Sequence, residues 1–249
     1  MRDESDSMLS NAWLLAYLLP VFSIIVGVSF IFMTVLLLPM GGAVGGAVVG
    51  LLVVGMIAVV LLIIIGFIVN LVLTYKLVKR RNTHFKRQQF LLEDIVAAAK
   101  TLAEKKRADA EVGLSSCERT VREFKAEEPE KGAVLWAILS AVPYVGSLAS
   151  WYIYYFLMKD FYKHEKREDG FWEDIGKLLD KCGVKFSAPR RSESIPDRSF
   201  VLYLILSIIT VGIFGIYWLY VLLKDPNTHF KYHMQVEDQL LSTLESMKL

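Results

Sequence analysis

Apolar and polar positions are segregated into blocks along this chain. Residues 12–38, 41–75, 133–158 and 200–223 contain no charged side chain. Each block is long enough for the ~20 apolar residues that a helix needs to cross a bilayer. Between and after them lie polar segments with helical spacing of apolar residues: Phe85, Leu92, Ile95, Val96, Ala99 and Leu102, then Phe171, Trp172, Ile175, Leu178 and Leu179. The tail repeats this more loosely through Phe230, Met234, Leu240, Leu241, Leu244 and Met247. The pattern predicts an all-α, polytopic membrane protein.

One phrase is written three times where an apolar block turns polar. Tyr75-x-Leu77-x-Lys79 with His84-x-Lys86 recurs as Tyr155, Leu157, Lys159, His164, Lys166 and as Tyr220, Leu222, Lys224, His229, Lys231, with identical offsets. Three equivalent exits should meet the same aqueous phase. Basic residues favour the cytoplasmic side, and segments 76–132 and 159–198 carry 14 and 10 Lys/Arg. Four single spans would place 159–198 outside. The remedy is to read each apolar region as a helical hairpin that returns to the side it left, giving three divergent repeats, each a membrane hairpin followed by an amphipathic cytoplasmic helix.

The predicted layout is a hairpin over 1–78 (spans about 12–38 and 43–76), a cytoplasmic helical segment 79–132, a short hairpin or kinked span 133–158, a cytoplasmic helix and linker 159–198, a second short hairpin or kinked span 199–223, and a cytoplasmic helix 224–249. Turns are expected around Pro143 and Gly146 and over Val211–Gly215. The short limbs, at 1.5 Å per residue, cover roughly half the hydrocarbon thickness, and such re-entrant backbone must be covered by protein. Asn82 or Thr83 and Asn227 or Thr228 are expected helix N-caps, with Pro226 breaking the helix before them. Ser115 is expected to cap a further helix, and 183–199 reads as a flexible linker.

Composition sharpens this reading. With 54% apolar residues, the chain is too greasy for an ordinary soluble domain. The acidic N-terminal flank, Asp3, Glu4 and Asp6, argues against a cleavable signal. Cys117 and Cys182 have no metal or redox spacing and are expected to be free thiols in a reducing compartment. The net charge of +2, with 10 acidic against 14 basic residues in 76–132, gives no nucleic-acid-binding face.

Candidate chemistry is sparse. Gly42, Gly46 and Gly50 put small residues on one helix face, expected to pack against the first span, with self-association the alternative. Lys76, Lys79, Arg80 and Arg81 lie beyond the second span, where they could meet anionic lipid headgroups. The repeated histidines, His84, His164 and His229, would converge if the repeats pack about a pseudo-threefold axis, with His233 one turn beyond His229. Three imidazoles would suit zinc, but each neighbours basic residues that would repel a cation. Interfacial hydrogen bonding is therefore the expected role, with no metal or other cofactor. Glu93-Asp94, Glu173-Asp174 and Glu237-Asp238 are expected to pair with Lys or Arg of neighbouring repeats. No hydrolase, P-loop or dinucleotide motif is present, so no enzymatic activity is expected.

The segment Ile208-Ile-Thr-Val-Gly-Ile-Phe-Gly-Ile-Tyr-Trp-Leu-Tyr220 resembles I-T-x-G-I-Y-G-x-Y-W-x-Y, the signature of a large family of uncharacterised prokaryotic small membrane proteins, a domain of unknown function. The resemblance covers about 25 residues of copy three; copies one and two lack the glycine pair. It implies a prokaryotic membrane location and no activity. The leading expectation is a non-enzymatic membrane scaffold or adaptor, a possible homo-oligomer or one whose cytoplasmic helices hold a protein partner. The alternative is a channel-like or small-solute transport protein with a path past Asn70, Ser140 and Thr210. A metal-dependent membrane enzyme is the third.

Overall fold

A computed structural model describes residues 5–37 and 44–246. Every regular element among them is helical: a 3-10 turn at Asn11–Trp13, then α1 (Leu14–Leu37), α2 (Val44–Lys106), α3 (Glu111–Glu127), α4 (Ala133–Ala141), α5 (Val145–Lys181), α6 (Phe200–Ile209) and α7 (Ile213–Ser246). Gly42, Met247, Asp3 and Glu4 lie outside the described residues.

Residues 133–158 and 200–223 are helical hairpins, not kinked single spans. In the first, α4 folds back on α5, bringing Trp136 within 5.0 Å of Tyr152 and 5.8 Å of Phe156 between ring centroids. In the second, α6 folds back on α7 through Tyr203, which meets Phe214 at 5.1 Å and Trp218 at 5.5 Å. The turns need left-handed backbone. Tyr144 has φ 63°, and Val211 and Gly212 have φ 50° and 87°. Gly212 is the glycine that ordinarily ends a helix in this way, whereas Tyr144 and Val211 hold a conformation that costs a non-glycine residue about 1–3 kcal/mol. Both tips are apolar and open, with Tyr144 96% and Val211 91% exposed.

The three long helices α2, α5 and α7 run side by side and parallel, so the repeated phrases sit level with one another. Leu77, Leu157 and Leu222 are buried in one cluster with Ile153 and Trp218. Below it Phe85, Phe161 and Phe230 form a second layer, and below that Leu92, Ile95, Phe171, Ile175 and Val236 begin the largest core. Helix α3 closes that core from outside with Cys117, Val121 and Phe124. Both cysteines are free and buried.

Several local expectations fail for identifiable reasons. No helix restarts at Asn82 or Asn227, because α2 and α7 run straight through these positions. Both amides instead pin a distant backbone. Asn82 donates to Lys131 O (2.6 Å) and accepts from Lys131 N–H (3.1 Å). Asn227 donates to Leu9 O (2.8 Å) and accepts from Leu9 N–H (3.1 Å). Ser115 is interior to α3, which begins at Glu111 without a side-chain cap. The segment 183–199 is no loose linker: Val184, Phe186 and Ile195 are buried. Ile195 N–H donates to Glu165 (2.8 Å), and Arg191 stacks 3.7 Å from the Tyr232 ring centroid.

Pro226 does not break α7. A proline inside a helix leaves the carbonyl four residues earlier without its N–H donor, here Leu222 O. Arg80 of α2 supplies that donor through Nη2 and bonds Asn227 Oδ1 through Nη1 at 3.2 Å. Arg80→Met should therefore destabilise the protein by about 1–3 kcal/mol, the usual cost of orphaning a buried polar group. Adding Pro226→Ala, which restores the helical N–H, should recover part of that loss in a double-mutant cycle read by thermal unfolding.

Candidate metal centre

Helices α2, α5 and α7 each project one histidine of the repeated phrase onto the axis between them. His84, His164 and His229 are all buried, and their ring centroids form a near-equilateral triangle with sides of 5.2 Å (84–164), 5.1 Å (84–229) and 5.2 Å (164–229). The neighbouring lysines, Lys86, Lys166 and Lys231, all point to solvent. The cation repulsion expected from the sequence is thereby removed.

One helical turn on, the same three helices supply Gln88, Glu168 and His233, all buried. Residues at i and i+4 share a helix face, so these form a second layer under the triangle. Glu168 is its hub. Its Oε1 accepts from Trp172 Nε1 (2.9 Å) and Gln88 Nε2 (3.2 Å), and its Oε2 accepts from Arg191 (2.7 Å). His233 Nε2 stands 2.6 Å from Glu168 Oε1 but without hydrogen-bond geometry. Burial alone would raise the Glu168 pKa, but His233, His229 and Arg191 outweigh it and hold the carboxyl well below its ordinary range.

Carboxylates surround the triangle. Asp6 Oδ1 lies 2.8 Å from His84 Nδ1, and Glu128 Oε2 lies 2.9 Å from His164 Nδ1. Each is also bound by the arginine three residues after its histidine: Arg87 to Asp6 at 3.0 Å, Arg167 to Glu128 at 2.7 Å. In the third repeat the charges are rearranged. His229 Nδ1 lies 3.4 Å from both Glu165 Oε2 and Arg191 Nη1, and Tyr232, at the offset of Arg87 and Arg167, receives Arg191 on its face. Around the axis, four carboxylates thus face three guanidiniums.

An imidazole that donates Nδ1–H to a carboxylate carries its lone pair on Nε2, the state in which histidine ligates metals. The carboxylates beside Nδ1 of His84 and His164 favour that state. Burial pushes the His84 pKa down to about 3 and His229 well below its ordinary value, so these two imidazoles stay neutral. His84 Nε2 sits 3.2 Å from His229 Nε2, and His164 Nε2 is buried with no hydrogen-bond partner among the described residues, as is Gln88 Oε1. One ligand atom from each of His84, His164, His229 and His233 fits within 4.8 Å of the others. A tetrahedral zinc ion with bonds of 2.0–2.1 Å separates its ligands by about 3.3 Å, so small side-chain shifts close the set.

The other sequence candidates lie elsewhere. Arg80 and Arg81 are buried, and Arg81 reaches Asp160 (2.9 Å) and Pro129 O (2.7 Å). Neither is free for lipid headgroups, which leaves exposed Lys76 and Lys79. The phrase tyrosines Tyr75 and Tyr155 are exposed and Tyr220 is half-buried. Gly46 and Gly50 have open space beside them. The α1–α2 contact passes instead through Gly27 against Val59 and Gly55 against Phe30. Glu237 pairs across repeats with Arg87, whereas Glu93 pairs within its own repeat with Lys125 of α3 (2.7 Å) and Glu173 along its own helix with Lys177 (2.6 Å). Asn70 and Ser140 line one cleft, but Thr210 does not: it donates to Leu206 O and accepts from Phe214 N–H at the α6–α7 turn.

Sequence reasoning missed Asp6, Glu128, Glu165, Glu168 and Arg191. Two signals were present. Gln88, Glu168 and His233 share the offset of four residues from their histidines, and Asp6 and Glu128 precede Trp13 and Trp136 by seven and eight residues.

Residues 198–244 match DUF4234, a family described as a domain of unknown function. The matched stretch runs from just before α6 through most of α7 and includes His229 and His233. No curated protein and no solved structure matches the chain.

Arg191 compensates Glu165 and Glu168, both buried. Stripping its charge from metal-free protein should cost about 3–5 kcal/mol, the penalty for breaking a buried ion pair from one side. Arg191→Ala should show that loss in chelator-containing thermal melts, while Arg190→Ala, exposed beside it, should stay within about 0.5 kcal/mol of the parent.

Proposed function

We propose that this protein is a multi-pass membrane scaffold whose three hairpin-and-helix repeats are clamped on their polar side by one divalent transition-metal ion, zinc by geometry. The carrying observation is the imidazole triangle, with Nδ1 of His84 and His164 held by Asp6 and Glu128 and Nε2 of His164 buried without a hydrogen-bond partner among the described residues. Buried acceptors without donors are rare. A carboxylate behind each ligating imidazole is the arrangement that orients histidine toward metal. No cysteine lies in the set, and imidazole suits zinc, copper, iron and nickel. His84, His164 and His229 would supply Nε2, and His233 would complete four-coordination.

Membrane placement is supported by two helices long and apolar enough to cross, Asn11–Leu36 and the apolar part of α2. Their Leu, Ile, Val and Phe side chains face outward over most of that length. At 1.5 Å per residue, α4 and α6 reach about 13–15 Å, half of a ~30 Å hydrocarbon core. Hairpins that enter and return would put all three phrases, and the basic segments after them, on the cytoplasmic side, as the distribution of Lys and Arg favours.

The scaffold reading follows from closure. The four histidines are closed off from solvent, His84, His164 and His233 at 0% and His229 at 1% exposure. Structural zinc sites are ligand-saturated, whereas catalytic ones keep an open position. The ion's role would be to lock α2, α5 and α7 in parallel register and so present the outer helices as a rigid surface to a protein partner.

Elemental analysis of full-length protein purified in detergent should find about one transition-metal ion per chain. His164→Ala should lower metal affinity by at least the 10–100-fold typical even of lost supporting groups, and a chelator should lower the melting temperature of the parent but not of that variant. Metal-free parent protein that also fails to bind added zinc would overturn the reading.

A further inference from the structure

A cleft of about 720 Å³ opens between α2 and the two short hairpins, lined by Asn70 and Thr74 of α2, Ser147, Ser150 and Tyr154 of α5 and Trp218 of α7, among others. That volume lies within the roughly 300–1,000 Å³ of ordinary ligand pockets. On the membrane placement proposed above, it lies inside the bilayer: Asn70 is five residues, about 8 Å, inward from the Tyr75 exit.

The lining is mostly apolar with polar side chains set into it, carries no charge, and leaves several of its donors unspent. Trp218 Nε1 is buried and has no hydrogen-bond partner among the described residues. Asn70 accepts from Thr74 Oγ1 at 3.4 Å, but its amide N–H groups have no partner among the described residues. The hydroxyls of Ser147, Ser150 and Tyr154 likewise make no hydrogen bond among them. This contrasts with Ser23 and Thr34 outside the cleft, and with Ser207 at its edge, which each donate to the carbonyl four residues earlier. Hydrocarbon cannot satisfy such groups, and polar side chains at membrane depth face a cavity or a partner.

We infer that this cleft binds one uncharged, acceptor-rich lipid, a neutral glyceride whose ester and hydroxyl oxygens meet these donors while its chain follows the exposed apolar faces of α1 and α2. The absence of charge in the lining excludes a phosphate or carboxylate head, which would be stripped of water with no cation to meet it. A wholly apolar chain would leave the donors of Asn70, Ser147, Ser150, Tyr154 and Trp218 unmet.

Native mass spectrometry of the full chain, released from detergent in the presence of mono-oleoylglycerol, should show a 1:1 adduct. Octadecane and oleoyl-lysophosphatidylglycerol should give at least tenfold less. Ser147→Ala/Ser150→Ala and, separately, Asn70→Leu should each reduce the mono-oleoylglycerol adduct severalfold. Helical circular dichroism and metal content, read on the same samples, identify a variant that has not folded. If Asn70→Leu fails that check, the serine pair decides. Equal retention of the three probes, or full retention by the folded serine variant, would overturn the inference. A chain that stays in solution without detergent would instead overturn the membrane placement on which the inference rests.

Discussion

Three imidazoles meeting edge to face on one axis are the constraint to which the rest of the structure answers. They require α2, α5 and α7 to be parallel, level and close enough for ring contact at 5.1–5.2 Å. Parallel neighbours cannot be joined by tight turns, so each helix must be led back to the starting level by its own hairpin. The apolar hairpins are in that sense the connections a parallel three-helix body demands. Burying three imidazoles also requires partners for their outer nitrogens, which explains why the segment before α1 and the segment between α3 and α4 bring in Asp6 and Glu128.

The repeats depart from threefold symmetry where charge would otherwise accumulate. Arg87 and Arg167 each hold a carboxylate behind a histidine, but Tyr232 occupies their place in the third repeat and Arg191 arrives from the strap. The second layer is wholly asymmetric, with an amide, an acid and an imidazole at equivalent positions. Three copies of any one of these would be either repulsive or unsatisfied at such a distance. Divergence here solves an electrostatic problem that strict repetition creates.

The gross architecture was legible because it rests on periodicities. Apolar blocks, helical spacing at Leu92–Leu102 and Phe171–Leu179, and the threefold phrase led directly to helices and hairpins. The site was half legible. Equal offsets predicted that His84, His164 and His229 could converge, but adjacent lysines argued against a cation, since a sequence does not say that position His+2 points outward. Asp6, Glu128 and Arg191 come from segments without regular structure, whose approach to the axis is fixed only by tertiary packing. Asn82 and Asn227 misled for a related reason. Asparagine before an amphipathic stretch reads as a cap, yet an amide in mid-helix serves equally well to grip a passing backbone.

That grip forms a cycle. Asn82 of the first long helix holds Lys131, which leads into the second hairpin. Glu165 of the second holds Ile195, which leads into the third. Asn227 of the third holds Leu9, 218 residues upstream, which leads into the first. During synthesis on the ribosome the first two links can close as each helix is completed, but the link at Leu9 must wait for the last. The link from the first segment to the third long helix is thus the last to close, and a chain that stops before Asn227 emerges as an open ring, its first segment held to the first long helix through Asp6 but not to the third.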